Sequence, residues 1–319
     1  QLHIQRNRSE VFDLAQAPLL RATLVKSDAA EFHLLFCMHH IISDGASLVV
    51  LFRELVTLYL AFTRNAPSPL PELRLHYGDF AEWQREWLSA ERMNDQLQYW
   101  QNKLAKAPAL LELPLDQPRP PIQSTAGASV NLQFPDAFGA RLKTFCADNG
   151  ITPFMYMLTG WKLLLSRYAG QTDILIGVPT LGRHAPELEN IIGFFIQSLV
   201  LRTDLANNPT VEQAVQRVRQ TVLEGFSHGD VPVDLIVERL GIRRNPAYSP
   251  LVQVAFQLLD NASFNAGNLL QSAQFGDLQL EMLGGNTTTA KFDLTLSLTQ
   301  NGDQFAGSLE YNTALFFDS

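Results

Sequence analysis

The residues of this chain whose types and spacing could do chemistry are two adjacent histidines followed by a spaced Asp-Gly: His39-His40-Ile41-Ile42-Ser43-Asp44-Gly45. An imidazole at the end of a strand can take a proton from an attacking amine and pass one to a departing thiolate. Asp44, four residues after His40, can fix the loop by pairing with an arginine, for which Arg183 is the visible candidate. Gly45 permits backbone geometry that a side chain would obstruct. A composition-matched chain of this length shows HHxxxDG by chance on the order of one time in a thousand.

Each of these residues also has a plainer reading. A histidine at a strand end often does nothing more than bond the backbone, and that is the reading preferred for His39. Period-2 alternation puts His39 on a face with His33, Leu35 and Cys37, and His40 on the other with Phe32, Leu34, Phe36 and Met38. A loop carboxylate next to glycine is well placed to orient and poorly placed to shuttle protons, so Asp44 is read as structural. A metal site of His33, His39, His40 and Asp44 is disfavoured because alternation splits the ligands.

The elements that must position these residues come next. Glu31 to Met38 is a short, nearly all-apolar run, read as a strand buried on both faces. After the Asp44-Gly45 turn, Val49, Phe52, Leu55, Val56 and Tyr59 recur at helical spacing from Ser47 to the Pro67-Ser68-Pro69 loop. A second helix is expected from Asp79 to Lys106, with Asp79 and Glu82 as a capping-box variant and Trp83, Trp87 and Trp100 on its core side. Further helices are expected from Thr152 to Tyr168, from Thr210 with Gln213 in the reciprocal capping place, and over Val233 to Leu240. Strands are expected over Asp173 to Pro179, Phe195 to Asp204, Pro250 to Leu259, Leu278 to Leu283, Phe292 to Thr299 and Gln304 to Tyr311, the last two joined by an Asn301-Gly302 hairpin turn. This is an α/β pattern.

Composition bounds the partners. A chain of 319 residues with 46% hydrophobic and 18% charged residues can bury an ample core. A net charge of -8 without basic runs disfavours nucleic acid and anionic membranes, leaving small molecules or proteins. Two cysteines, Cys37 and Cys146, both in apolar segments, suggest no disulfide framework and fit a reducing, cytoplasmic setting. No uncharged apolar run reaches membrane-spanning length, and a start at Gln1 reads as an excised piece.

Several further segments occur in an order that identifies a family resemblance. Tyr77 to Gln84 resembles YxDYAxWQ, Gly177 to Arg183 resembles GxPxxGR, and Ile192 to Arg202 resembles IGxFVNTLxLR. His228 to Asp234 is similar to HQDVPFE, and Arg244 to Val254 to RDxSYSPLFQVMF. With HHxxxDG, these resemble the signatures of the condensation domains of non-ribosomal peptide synthetases, over nearly the whole chain.

The resemblance implies two chloramphenicol-acetyltransferase-like lobes in a V shape with a central tunnel. An incomplete N-terminal lobe would occupy 1–107, a linker 108–125 and the C-terminal lobe 126–319. It implies an acyltransferase of secondary-metabolite and antibiotic biosynthesis, in which a carrier-bound aminoacyl amine attacks an upstream acyl or peptidyl thioester. His40 would be catalytic, as base or as an acceptor that positions the amine, with His39, Asp44, Gly45 and Arg183 in support. No bound cofactor or metal is implied. Phosphopantetheine arms would be delivered by donor and acceptor peptidyl carrier proteins beside an adenylation domain. The chain departs from the family pattern at Gln197, usually Asn, at Ala46, usually a bulky aromatic, and at Gly229, usually Gln; Ala46, Gln197 and Ser198 are the candidate tunnel-lining residues. Two N-terminal motifs of the family are absent, which suggests that roughly a quarter of a family-length domain is missing. The rivals are an epimerization domain of the same family, expected to carry a bulkier signature than Ala46-Ser47-Leu48, and a non-catalytic domain that docks carrier or tailoring proteins.

Overall fold

A computed structural model describes residues 10–260, 272–275, 278–281 and 288–318. In chain order it contains β1 (Leu20–Lys26), β2 (Phe32–Met38), a 3-10 turn (His40–Ile42), α1 (Gly45–Phe62), α2 (Tyr77–Trp87), α3 (Ala90–Leu104), β3 (Gly127–Gln133), α4 (Phe138–Asn149), α5 (Pro153–Ala169) and β4 (Asp173–Thr180). There follow a 3-10 turn (Pro186–Leu188), β5 (Gln197–Asp204), α6 (Val211–Ser227), α7 (Val233–Arg239), β6 (Val254–Asp260), β7 (Ser272–Phe275), β8 (Leu278–Glu281), β9 (Leu294–Asn301) and β10 (Gln304–Asn312). The chain forms two compact units, the smaller built from the described parts of Gln1–Glu82, Leu181–Ile196 and Ala273–Leu280, the larger from the remainder. The 108–125 stretch lies inside the larger unit, where Leu111 and Leu113 are buried.

In the smaller unit β1 and β2 form an antiparallel hairpin, Ala22 opposite Phe36. The reading of β2 as buried on both faces does not hold: Phe32 is 52% exposed and Leu34 44%. Among the described residues β2 pairs with β1 alone. Phe36 packs edge-on against Phe52 of α1, at 5.8 Å, but the outer end of the strand is uncovered. An apolar run reports a strand's chemistry, and burial needs a neighbour on each face. The strand stops at Met38, so alternation does not place the two histidines.

The helix α1 begins at Gly45, two residues before its expected start. Asp44, in extended geometry, is its N-cap and accepts from Ser47 N at 2.8 Å, satisfying a first-turn donor that would otherwise be orphaned. At 18 residues α1 is long and apolar enough, by length and composition, to cross a membrane, with Arg53 and Glu54 at its middle. Arg53 donates to Asn190 Oδ1 at 2.7 Å.

The single helix expected from Asp79 to Lys106 is two helices, α2 and α3, broken at Leu88-Ser89. Asp79 lies inside the first turn of α2 and accepts from His76 N at 2.7 Å. The tryptophan stripe divides accordingly. Trp100 is buried, whereas Trp83 and Trp87 are 47% and 41% exposed and stack on each other at 5.4 Å, so these two do not belong to the core.

The larger unit is organised by a six-stranded mixed sheet in the order β3-β10-β9-β6-β4-β5, with β6 parallel to both of its neighbours and the other pairs antiparallel. Its most buried part is the near-continuous apolar run of β4 with its neighbours β5 and β6, where Ile174, Ile176, Leu201 and Phe256 are fully buried. Local chemistry sets the helix ends. Thr152 caps α5 ahead of Pro153, Gly170 closes it in the left-handed region, and Thr210 with Gln213 forms a reciprocal capping box on α6. β8 spans Leu278–Glu281; Met282 and Leu283, the end of the strand expected there, lie outside the described residues.

One buried cation holds helix to sheet. Lys162 of α5 is fully buried, and its Nζ donates to Ile174 O at 3.1 Å, Leu201 O at 2.5 Å and Thr203 Oγ1 at 3.0 Å. Three acceptors match the three protons of an ammonium. Burial nevertheless pushes the pKa down to about 7 from an ordinary 10.5, with Asp173 opposing that shift. The unfolded chain therefore binds the extra proton between about pH 7 and 10.5, and stability rises as pH climbs through that window. Urea titrations at pH 7 and pH 10 should show this rise in wild type and its loss in Lys162→Met, which keeps the shape and removes the proton.

Candidate functional site

The site lies in the smaller unit, where β2 turns into α1. His39 is the N-cap of the 3-10 turn: its Nδ1 accepts from Ile41 N at 3.1 Å, and its ring meets Phe12 edge-on at 6.2 Å. That is an orienting role. His40, the first residue of the turn, is exposed, and its Nδ1 lies 2.6 Å from Ser43 O. A carbonyl can only accept, so in the neutral ring Nδ1 carries the proton and Nε2 keeps its lone pair. No described residue hydrogen-bonds Nε2. The imidazole is thus presented as a base or acceptor, with its tautomer set by its own loop.

Behind it is a buried polar cluster. Asp44 Oδ1 takes hydrogen bonds from Ser47 N and Ser47 Oγ at 2.8 Å each and from Arg183 Nη2 at 3.1 Å, while Oδ2 takes one from Phe195 N at 3.0 Å. The Asp44 and Arg183 side chains are 3% and 5% exposed. Arg183 Nη1 donates to Leu188 O and Ile191 O, and its guanidinium lies over the Phe195 ring at 4.1 Å, a cation–π contact. Burial works to raise the Asp44 pKa. The bonds from Ser47 and Phe195 and the charge of Arg183 together outweigh it, and the carboxyl is held below its usual range.

Ser47, fully buried, is the hinge of this cluster and carries no mark in the motif. Its Oγ accepts from Gly193 N at 3.0 Å and from Arg183 Nη2 at 3.0 Å, and lies 2.8 Å from both Gly193 O and Asp44 Oδ1. With one proton it donates to only one of those two acceptors at a time. Ser47→Ala should cost about 1–3 kcal/mol in denaturant unfolding by orphaning buried partners.

The 181–196 segment is bound to the start of α1 by these contacts. Gly182, at φ +63°, has Phe195 O where a Cβ would stand, and a Cβ on Gly193 would run into the Tyr77 ring. Tyr77 Oη donates to Phe194 O at 2.7 Å, and burial, then the Asp44 charge, push its phenol pKa up, so it remains a donor. Phe80, Leu188, Ile191 and Phe195 form the apolar floor. Phe194 meets His40 edge-on, centroids 5.2 Å apart at 89°.

The steric reason offered for Gly45 is not found: it is the first residue of α1, and a Cβ there would meet nothing within 4 Å. Ala46, half-buried, follows it in the same unit. Gln197, half-buried, and Ser198, exposed, open β5 in the larger unit. The site therefore brings together His39, His40, Asp44 and Arg183. Ser47, Tyr77 and Phe194 were not marked out by residue chemistry, although Tyr77 and Gly193 stand inside matched motifs. Among the described residues no cluster of three His, Cys, Asp or Glu side chains could hold a metal.

This is an α/β chain that presents, from a strand–turn–helix junction locked by a buried ion pair, an imidazole nitrogen that no described residue hydrogen-bonds. The family model of the condensation domain matches residues 1–319, and the chain belongs to that family. It is 44% identical over 310 residues to one of the linear gramicidin synthase proteins of Brevibacillus parabrevis, a match covering 97% of this chain and 6% of that protein. It is 36% identical over 310 residues to a phosphinothricin tripeptide synthetase of Streptomyces viridochromogenes, covering 97% and 28%. Among solved structures it is similar to the X-domain from teicoplanin biosynthesis, with a TM-score of 0.85, 29% identity, and coverage of 98% of this chain and 71% of that one. In fold it is also similar to holo-AB3403, a four-domain nonribosomal peptide synthetase bound to AMP and glycine, at a TM-score of 0.86, 23% identity, and coverage of 99% and 24%. The chain spans only a small part of the synthetases it matches.

Proposed function

We propose that this domain forms an amide bond between two carrier-bound substrates. The observation that carries the reading is the 2.6 Å contact of His40 Nδ1 with Ser43 O, which leaves Nε2 as an acceptor at the exposed face of the ring. The free amine of an aminoacyl group on a downstream peptidyl carrier attacks the carbonyl carbon of an acyl or peptidyl thioester on an upstream carrier. A C–N bond forms, the C–S bond breaks, and the amine's proton passes by way of His40 Nε2 to the leaving thiolate. The products are an amide and one free phosphopantetheine thiol. Both thioester arms arrive on the carriers, and an adenylation domain supplies the activated aminoacyl group. His39 and the Asp44–Arg183 pair position the loop, and neither moves a proton.

A second reading, a domain that docks a partner protein without catalysis, is favoured by one observation. The chain is 27% identical, with a TM-score of 0.86, to the X-domain in its complex with OxyB from teicoplanin biosynthesis. The two readings separate when the longest native chain containing these residues is given loaded donor and acceptor carriers. Amide and thiol appearing in a one-to-one ratio support condensation; carrier binding without amide supports docking.

A further inference from the structure

We infer that Phe194 is the positioning residue for the His40 imidazole, an inference that rests on the proposed role of His40. Phe194 occupies the variable position of the IGxF segment, and the backbone on both sides of it is held by hydrogen bonds. The three consecutive residues Gly193, Phe194 and Phe195 are each tied down: Gly193 N to Ser47 Oγ, Phe194 O to Tyr77 Oη and Phe195 N to Asp44 Oδ2. A backbone held this tightly normally serves a buried side chain. Phe195 is buried, but Phe194 is 38% exposed, and its ring stands perpendicular to His40 at 5.2 Å.

The imidazole is therefore held on two sides by different chemistry. Ser43 O holds Nδ1 along the ring plane, and the benzene ring faces it at a right angle, within the contact range of an edge-to-face pair. Rotation about the Cβ–Cγ bond breaks the first contact and drives the imidazole against the second. Phe194 thus keeps Nε2 aimed in one direction, and through its backbone neighbours it links the orientation of His40 to the Asp44–Ser47–Arg183 cluster.

The test compares Phe194→Ala, Phe194→Leu and Phe194→Tyr in the longest native chain containing these residues, with donor- and acceptor-loaded carriers. An edge-to-face pair of ordinary strength corresponds to about a two- to tenfold change in rate. Phe194→Ala and Phe194→Leu should lower kcat in that range with KM for the acceptor carrier unchanged and the fold retained at the assay temperature, and Phe194→Tyr should restore kcat. Nitrogen-15 spectra of histidine-labelled protein should show one His40 tautomer, protonated at Nδ1, in wild type and Phe194→Tyr, and a mixture in Phe194→Ala and Phe194→Leu. Full kcat in Phe194→Leu, or a raised KM with an unchanged tautomer, would overturn the inference. The spectra need no turnover, so if His40→Ala made amide at the wild-type rate, the role of His40 would fail while the positioning of its ring would still be measured.

Discussion

Replacing His40 by alanine is expected to slow amide formation by roughly 10²- to 10⁴-fold, the range for loss of a positioned proton acceptor. The structure supports a clean reading of that loss. His40 is exposed and, among the described residues, its side chain hydrogen-bonds only Ser43 O in its own turn, so truncation removes one hydrogen bond, worth about 1 kcal/mol, and the fold should persist. The drop should fall on kcat and on kcat/KM alike, because the interaction matures only as the amine loses its proton. His40→Gln separates the two forms of the role. Its amide oxygen can accept a hydrogen bond from the amine but cannot carry the proton away, so a true base leaves Gln as slow as Ala, whereas a purely orienting acceptor leaves Gln well above Ala.

The second large effect is structural. Asp44→Ala is expected to destabilise the smaller unit by about 3–5 kcal/mol, the cost of leaving a buried guanidinium without its counter-ion. Ser47 N and Phe195 N lose their acceptor, Ser47 Oγ and Arg183 Nη2 each lose one of two acceptors, and α1 loses its N-cap. Asp44→Asn keeps the cap oxygen and should cost less. The double change Asp44→Ala with Arg183→Met should recover part of the loss, since no charge then remains buried, and a double-mutant cycle by urea unfolding measures the coupling. The Asp44 carboxyl is held below its usual range when folded, so its contribution is fully present above the ordinary carboxylate pKa of 3.8 and is lost as pH falls below it. Acid titration of wild type should show that loss, and Asp44→Asn should flatten it.

Part of this site was legible in the chain alone, and the physical reason differs residue by residue. His40, Asp44 and Arg183 were legible because each has chemistry that few other side chains share: a ring with two distinct nitrogens, a cap that also accepts a charge, and a planar donor fork. Ser47 was invisible because a serine in the first turn of a helix has many possible uses, and only a segment about 146 residues away gives it this one. Phe194 was hidden for a related reason, since its role depends on a loop that reaches His40 through tertiary contacts. Alternation gave the wrong mechanism for dividing the histidines, because the strand stops at Met38 and a 3-10 turn takes over.

The fold shows the same split. The buried strands β4 and β5 and the capped helices α5 and α6 carry strong local signals: apolar runs, Thr152-Pro153 and the Thr210–Gln213 box. β1, β3 and α4 went unread. β3, with the sequence Gly-Ala-Ser-Val-Asn-Leu-Gln, has weak strand propensity and is held as an edge by its ladder with β10. The helix α4 has no side-chain N-cap to announce it. The exposure of Trp83 and Trp87 could not be read from helical spacing, which orders side chains around an axis without saying which face is covered.

That this domain joins an amine to a thioester, with His40 as the proton acceptor, is tested most directly by one measurement. It is a single-turnover reaction of the longest native chain containing these residues, with saturating donor- and acceptor-loaded carriers, followed by mass spectrometry for wild type and His40→Ala. The expected result is amide and free thiol in equal amounts from wild type, with the variant slowed at least about a hundredfold and binding both carriers as wild type does. Carrier binding without amide from wild type, or an equal rate in His40→Ala, would contradict it.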